Sequence, residues 1–191
     1  MKYLVMIFIL LFYHLVALSQ QKKPDSVHVV GVIKYDTTFI QLDTIQEKAL
    51  RSQASSMVDA ILKGDYPTYI KSVHPRVIKL YGGEGPLIEA IKKELNKTKI
   101  KTAEIGEHTK VAKAQDEIHT FIAQELKMQL PNHTLLSKSH LFAISKDNGL
   151  RWYFVDAASF TNANVYAYFP NYNPILQVPA KIKPVVKPRW W

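Results

Sequence analysis

The sequence predicts an α+β domain in which helices precede the strands of an antiparallel sheet. Between residues 44 and 95, apolar residues recur at three- and four-residue spacing, as on the buried stripe of a helix. After residue 99 they alternate with polar residues, as on a strand with one buried face. Helices that lie ahead of antiparallel strands in sequence form a layer that covers the sheet. We therefore predict three N-terminal helices packed on a curved antiparallel sheet.

The first residues predict export. Lys2 precedes an apolar run over residues 3–18, and Ala17-Leu18-Ser19 matches the small-x-small pattern of a signal-peptidase site. The alternative is an uncleaved anchor, but the run is shorter than the roughly 20 residues that span a bilayer. We expect residues 1–19 to be a cleaved signal peptide, and the product to be a secreted or periplasmic, bacterial protein without a membrane span.

Cysteine is absent from the chain. This excludes a lipoprotein anchor, disulfide bonds and thiolate metal sites. A fold without these covalent supports relies on its hydrophobic core for stability, and the length that remains after cleavage suits one domain.

Residues 20–42 are predicted to form a leader with a strand segment. The stretch "VHVVGVI", residues 27–33, is a β-branched run between polar residues, which is typical of a strand. The stretch "YDTTFIQL", residues 35–42, extends it after a turn.

The first helix is predicted over residues 44–63. Asp43 or Thr44 caps its start, and Glu47 completes a Thr44-x-x-Glu47 capping box. Gly64 ends the helix, because glycine adopts the left-handed conformation of a C-terminal cap without a Cβ clash.

A short second helix is predicted over residues 65–73. Asp65 caps it, and Pro67 lies in its first turn, where a missing N–H group costs nothing. His74-Pro75 ends it, because the residue before a proline avoids the helical region.

The third helix is predicted to begin at Pro86. Before it, residues 77–80 are read as an extended or irregular apolar link, and Gly82-Gly83 as a turn. The neighbouring Gly-Glu-Gly resembles a phosphate-binding loop, but no preceding parallel strand or Gly-Lys-Ser/Thr accompanies it. We interpret it as a turn.

The second half of the chain predicts strands. Asn148-Gly149 is a strong signal for a hairpin turn. Beyond Ser159 the chain is rich in aromatic residues, Asn and Pro and gives no clear period. The predicted strands cover 99–108 with a continuation or partner at 108–114, and then 117–130, 134–145 and 150–157.

We place the domain at residues 43–160 and an aromatic, Pro-rich segment with an extended basic tail at residues 161–191. The formal net charge is +9, with Lys181, Lys183, Lys187 and Arg189 near the end. An exported chain rarely meets nucleic acid, so we expect no nucleic-acid partner. Attraction of the tail to an anionic surface is one alternative, and a partner contact through Trp190-Trp191 is another.

This order of elements resembles the nuclear transport factor 2-like superfamily, the cone-shaped, cystatin-like α+β fold that ketosteroid isomerase shares. The resemblance rests on "MVDAILKGDYPTYIKSVHPRVIKLYGG", "PLIEAIKKEL" and "GLRWYFVDA", and it covers residues 44–158. It implies a cavity between the helices and the sheet. Members include enzymes with an Asp or Asp-His in that cavity, ligand binders and dimerising modules, so the fold does not select the activity. No catalytic set of the family is matched residue by residue.

Asp156 is the leading candidate for a catalytic residue. A two-residue Asn148-Gly149 loop pairs Ala143 with Phe154 and Leu141 with Asp156, which places Trp152, Phe154 and Asp156 on one face. A carboxyl group beside two large aromatic rings has a raised pKa and serves as an acid or base. The alternative is that Asp156 caps the next turn in water.

The remaining candidates are His74 and several aromatic residues. His74 serves as a base if it reaches the cavity, or only caps a helix. Tyr69, Tyr81 and Trp152 are predicted to contact a flat ligand, with Tyr66 nearby, although core tyrosines are more common. We assign no metal and no cofactor, because the histidines lack metal-ligand spacing; these are His108, His119, His133 and His140.

We therefore expect a non-enzymatic binding or interaction module with a cone-shaped cavity. Its partner is a small hydrophobic or sugar-like ligand or another protein, and a homodimer forms through the open sheet face. The alternative is a small lyase or isomerase that uses Asp156 with His74 or a tyrosine.

Overall fold

The structure, a computed structural model, describes residues 36–96 and 98–188. These residues form an α+β fold with five α-helices and one open, antiparallel sheet of seven strands, which confirms the predicted class at this level. The helices are α1 (Thr44–Lys63), α2 (Tyr66–Ser72), α3 (Pro75–Leu80), α4 (Glu84–Leu95) and α5 (Val165–Tyr168), and Ala157–Ser159 is a 3₁₀ turn. The strands are β1 (Phe39–Ile40), β2 (Lys99–His108), β3 (Val111–Ala114), β4 (Glu117–Gln129), β5 (His133–Ser145), β6 (Tyr153–Asp156) and β7 (Val185–Pro188).

Three predictions lie outside the described residues: the signal peptide at 1–19, the strand at 27–33 and the role of Trp190-Trp191. Along the described ranges, no helix combines the length and the apolar character needed to cross a bilayer.

Helix α1 has the predicted bounds, and Asp43, one of the two predicted caps, begins it. The Asp43 side chain accepts hydrogen bonds from the backbone N–H groups of Ile45 and Gln46, and the Gln46 side chain accepts one from the Asp43 N–H group. Asp43 is therefore the cap, and the predicted Thr44-x-x-Glu47 box is wrong. Gly64 ends the helix in the left-handed conformation, at φ 71°, as predicted.

Four helices lie between β1 and β2, where the sequence predicted three. The apolar link predicted at residues 77–80 belongs to α3, which Pro75 begins. The physical reason is that a proline which ends one helix is also well suited to the first position of the next. His74 separates the two helices in extended conformation.

Strands β4 and β5 form the centre of the sheet. Strands β2 and β3 pair with the same edge of β4, one after the other. The stretch after His108 is therefore a continuation of β2 along β4 and does not pair with β2. On the outer edge of β5, β7 pairs with residues 133–136 and β6 with residues 141–144. Residues 137–140 lie between these pairings, and no strand of the described chain pairs with them on that edge.

The β5–β6 hairpin has the predicted register. Leu141 lies opposite Asp156 and Ala143 opposite Phe154. Asn148 and Gly149 both have positive φ angles, 57° and 83°. They lie in a connection over residues 146–152, so the predicted two-residue loop and the predicted strand start at residue 150 are wrong, although the register is right.

Side chains cover both faces of the sheet. On one face, Ile122 of β4 and Phe154 of β6 pack in one cluster with the buried stripe of α1. On the other, Phe121 and Phe142 contact the segment that follows β6. Their rings lie 6.3 Å from Tyr172 and 5.3 Å from Phe169, respectively, between centroids.

The segment placed beyond the domain therefore packs into the same core. Val165, Phe169, Tyr172 and Leu176 are buried in one cluster with β-sheet residues. Within the tail predicted as extended, residues 185–188 are paired with β5 as strand β7.

Candidate functional site

The helices and the sheet enclose a small cavity of about 80 Å³, which we call the inner cavity. Helices α1 to α4 supply apolar side chains such as Met57, Val77 and Leu87, and the sheet supplies Leu126 and Phe154. Few polar groups reach this space, and they are Tyr69, Tyr81, Gln124 and Asp156.

Asp156 lies at the sheet side of the inner cavity. Its position follows from the hairpin register, because β6 ends at Asp156 and the 3₁₀ turn begins immediately after it. The Ala158 backbone N–H group donates to Asp156 Oδ1 at 2.7 Å, and Gln124 Nε2 donates to Oδ2 at 3.3 Å. Gln124 Nε2 also donates to Ser139 Oγ at 2.9 Å. The carboxylate is thus held in one orientation by two donors.

Burial raises the pKa of Asp156 to about 6, and the hydrogen bonds from Ala158 and Gln124 act in the opposite direction. Desolvation therefore outweighs hydrogen bonding at this carboxyl group. Asp156 nevertheless remains partly accessible, because it borders the empty space of the site. At neutral pH the group is mostly ionised, and it takes up a proton in mildly acidic solution.

Tyr69 and Tyr81 stand on the helix side of the inner cavity. Burial, then the charge of Asp156 and the neighbouring Tyr81, raise the pKa of Tyr69 above its usual range. Burial raises the pKa of Tyr81 to about 12. Both phenols are therefore neutral at pH 7 and can donate a hydrogen bond to a ligand oxygen.

A second and larger space of about 550 Å³ adjoins Asp156 on its other side, and we call it the outer groove. Its floor is formed by Leu126, Met128 and Leu135, and its wall by residues 137–140 of β5. Residues 179–184 also line it, and we call this segment the arch. Leu126 and Asp156 line both spaces, so the outer groove and the inner cavity meet at these two residues.

Several predicted site residues lie elsewhere. Trp152 is buried in the cluster with α1, where its Nε1 donates to the Gly149 carbonyl oxygen at 2.9 Å. Tyr66 packs at the edge of the other core cluster, with Lys92 over its ring. Neither residue lines the inner cavity or the outer groove as the structure describes them.

His74 is not brought together with Asp156. Its Nδ1 accepts a hydrogen bond from the Arg76 backbone N–H group at 3.2 Å, so it caps α3. Burial and then the charge of Lys146 lower the pKa of His74 to about 4, which leaves it neutral at pH 7. It lines a separate cleft with Arg76, Lys146 and Glu117.

Metal ligation finds no support in the described ranges, where no group of three or more His, Asp or Glu side chains is placed to hold an ion. His119 is fully buried, and its Nε2 lies 2.9 Å from the Glu117 carboxylate. Glu117 Oε1 also forms an ion pair with Lys146 Nζ, at 3.0 Å.

Gln124 and Ser139 are site residues that the sequence analysis missed. A signal for Gln124 was present, because it interrupts the apolar alternation of β4 between Ile122 and Leu126. A polar side chain on a buried face needs a partner, and here the partners are Asp156 and Ser139. Nothing comparable in the sequence indicates that residues 179–184 line the groove.

Comparisons of the chain with protein-family models, with curated proteins and with solved structures find no match.

Proposed function

We propose that the protein binds a small, largely apolar ligand at Asp156 and does not transform it. The observation that carries the proposal is the position of the Asp156 carboxylate, which lies where two apolar spaces meet. The inner cavity of about 80 Å³ holds only a small group, whereas the outer groove of about 550 Å³ falls in the range of ordinary ligand sites. The half-buried carboxylate at their junction repels a negative charge and thereby orients an otherwise apolar ligand.

Binding fits the geometry better than turnover does. Both carboxylate oxygens of Asp156 already accept hydrogen bonds, from Ala158 and Gln124. His74, the predicted catalytic partner, lies in a separate cleft and is neutral at pH 7. A fixed acceptor without a second titrating group is suited to recognition.

We also propose a superfamily and a cellular location for the protein. Helices α1 to α4, followed by antiparallel strands and a cavity between them, support membership of the nuclear transport factor 2-like superfamily. The N-terminal pattern over residues 1–19 supports export and a secreted or periplasmic location.

Saturable uptake of a neutral naphthylamine dye, which fluoresces in apolar surroundings, tests the proposal. Ser137 lines the outer groove on β5, so Ser137→Trp fills the groove and is expected to weaken dye binding about ten-fold or more. Thr102→Trp is the matched control, because Thr102 is exposed on β2 outside the groove. Absence of saturable binding to the unaltered protein would refute the proposal.

A lyase or isomerase is the second candidate, and the raised pKa of Asp156 favours it. In that mechanism the Asp156 carboxylate removes a proton from carbon, and neutral Tyr69 donates a hydrogen bond to the oxyanion that develops. Native mass spectrometry of the protein with its co-purified ligand separates the two candidates. Binding predicts that the ligand mass and structure persist on incubation, whereas turnover predicts a product that Asp156→Asn does not form.

A further inference from the structure

We propose that the outer groove binds a single-chain amphiphile with an anionic head group. The chain lies on the apolar floor, and Lys181 and Lys183 hold the head group. This inference rests on the proposed binding function and adds the chemical class of the ligand.

The floor of the groove suits a flexible hydrocarbon chain. Leu126, Met128 and Leu135 belong, with Leu130, to a small cluster that is separate from the two larger core clusters, and the three floor residues are each 4 % exposed. The arch adds Ile182, which remains 49 % exposed. A bound chain would cover Ile182, and this burial of apolar surface drives association.

The charges around the groove are arranged asymmetrically. Lys138, Lys181 and Lys183 line it, and Asp156 is the one acidic residue among the described residues that do so. Asp156 stands where β6 ends, whereas Lys181 and Lys183 belong to the arch. An anionic head group is therefore attracted to the arch and repelled by Asp156, which orients the chain along the floor.

The arch lysines are the ones available to a ligand. Lys138 already forms an ion pair with Glu125, at 3.1 Å. Lys181 and Lys183 are exposed, and the described part of the chain supplies no ion-pair partner for either. A carboxylate or phosphate on a ligand would form ion pairs with these two lysines without breaking an existing ion pair.

A free amphiphile fits better than a bilayer surface. The floor side chains are buried and residues 179–184 also line the groove, so a single chain fits between them, whereas the flat surface of a membrane does not. The exposed side chains of Val185 and Val186 lie beyond the groove on β7 and would be the membrane contact in the competing case.

Calorimetric titration with three probes at monomeric concentrations tests the inference: decanoate, decanol and acetate. Decanoate is expected to bind about ten-fold more tightly than decanol, and acetate not measurably. The double variant Lys181→Ala/Lys183→Ala should bind decanoate no more tightly than decanol, and its affinity for decanol should be unchanged. The matched control, Lys48→Ala/Lys93→Ala, removes the same charge from exposed helix positions and should keep the advantage.

The retained affinity for decanol shows that the lysine variant is folded. Equal affinities for decanoate and decanol would overturn the anionic amphiphile as the ligand class and leave the proposed binding function standing. A higher affinity for decanoate that persists in the lysine variant would do the same. If decanoate, decanol and the naphthylamine dye all fail to bind the unaltered protein, both proposals are refuted. Lysine-dependent adsorption to phosphatidylglycerol vesicles without monomer binding would instead make this surface a membrane contact and overturn the inference.

Discussion

Asp156 carries an electrostatic cost that its surroundings only partly offset. Two donors, Ala158 and Gln124, stabilise the carboxylate, yet burial dominates and raises its pKa to about 6. An uncharged side chain such as asparagine would also accept the hydrogen bond from the Ala158 N–H group, so this structural role does not require a charge. The proposed ligand would account for a half-buried negative charge beside apolar space.

Asp156→Asn is expected to stabilise the free protein at neutral pH. A carboxyl group with a raised pKa holds its proton more tightly in the folded state, so its contribution is most favourable below pH 3.8 and is lost as the pH rises through about 6. Asparagine avoids this loss and keeps an oxygen for Ala158. We expect a gain of about 1–3 kcal/mol at pH 7.5 that disappears near pH 4. Each kcal/mol corresponds to about 2–4 °C in Tm.

Thermal unfolding between pH 4 and pH 8 measures this effect. Asp116→Asn is the control, because it removes the same charge from an exposed turn. A pH-independent difference, or one no larger than that of the control, would show that the carboxyl group is not significantly desolvated.

Residue-level prediction succeeded where a local rule fixed the geometry. The pairing of Leu141 with Asp156 was predicted from a turn centred on Asn148-Gly149, and the structure has that pairing, although the connection is longer and spans residues 146–152. The same rule gives no information on Gln124, whose partners are 15 and 32 residues away. Contacts of this kind depend on tertiary packing.

Among the elements, α1 and the β5–β6 hairpin are joined by side-chain hydrogen bonds. Gln46 Nε2 donates to the Asn148 carbonyl oxygen at 2.8 Å, and Gln53 Nε2 donates to that of Leu150 at 2.8 Å. Gln53 Oε1 also accepts from the Trp152 N–H group at 2.9 Å. These contacts fix the start of β6, and thereby the position of Asp156 at its end.

Gly149→Ala is expected to destabilise the protein by about 1–3 kcal/mol. Gly149 has φ 83°, which costs an L-residue about 1–2 kcal/mol, and a Cβ atom there would lie 2.8 Å from Gln46 Cγ. The substitution therefore strains the turn and disturbs the junction with α1. Urea unfolding provides the measurement.

Gly85→Ala is the matched control for this substitution. Gly85 lies in the first turn of α4, and its added Cβ atom would meet open space. Because alanine favours a helix over glycine, this variant should be neutral or slightly stabilised. Unchanged stability of Gly149→Ala would show that the junction with α1 does not constrain the hairpin.

Element-level prediction was limited by signals that have two meanings. His74-Pro75 was interpreted as the end of one helix, and it is also the start of α3. Asp43 and Thr44 are both good caps, and only the reciprocal bond from Gln46 identifies Asp43. The long helices and strands, where periodicity extends over many residues, were predicted more reliably.

For the whole molecule, the chain after β6 completes the core. Phe160, Phe169 and Tyr172 cover the face of the sheet that carries Phe121 and Phe142. The sequence gives no period here, because the segment folds through turns and long-range bonds. Asn173 Nδ2, for example, donates to the Asp36 carbonyl oxygen at 2.8 Å and to that of Lys113 at 2.6 Å.

Two truncations separate the role of this covering segment from that of the arch. A chain that ends at Ser159 loses Phe160, Phe169 and Tyr172, and we expect it not to unfold cooperatively, because deletion of one large aromatic side chain costs about 3–5 kcal/mol. A chain that ends at Val178 keeps these residues and should melt cooperatively, but it lacks the arch and should lose decanoate binding. Circular dichroism and calorimetry provide the two measurements. A cooperative melt of the shorter chain near the original Tm would contradict the covering role.

The late position of Phe169 and Tyr172 in the chain has a consequence for biosynthesis. Strands β4 and β5 are translated well before the residues that shield their aromatic side, so a nascent chain presents Phe121 and Phe142 to its surroundings until Leu176 has emerged. Exposed aromatic surface of this kind promotes aggregation. A chaperone that recognises such surface would therefore act before residues 160–176 have packed onto the sheet.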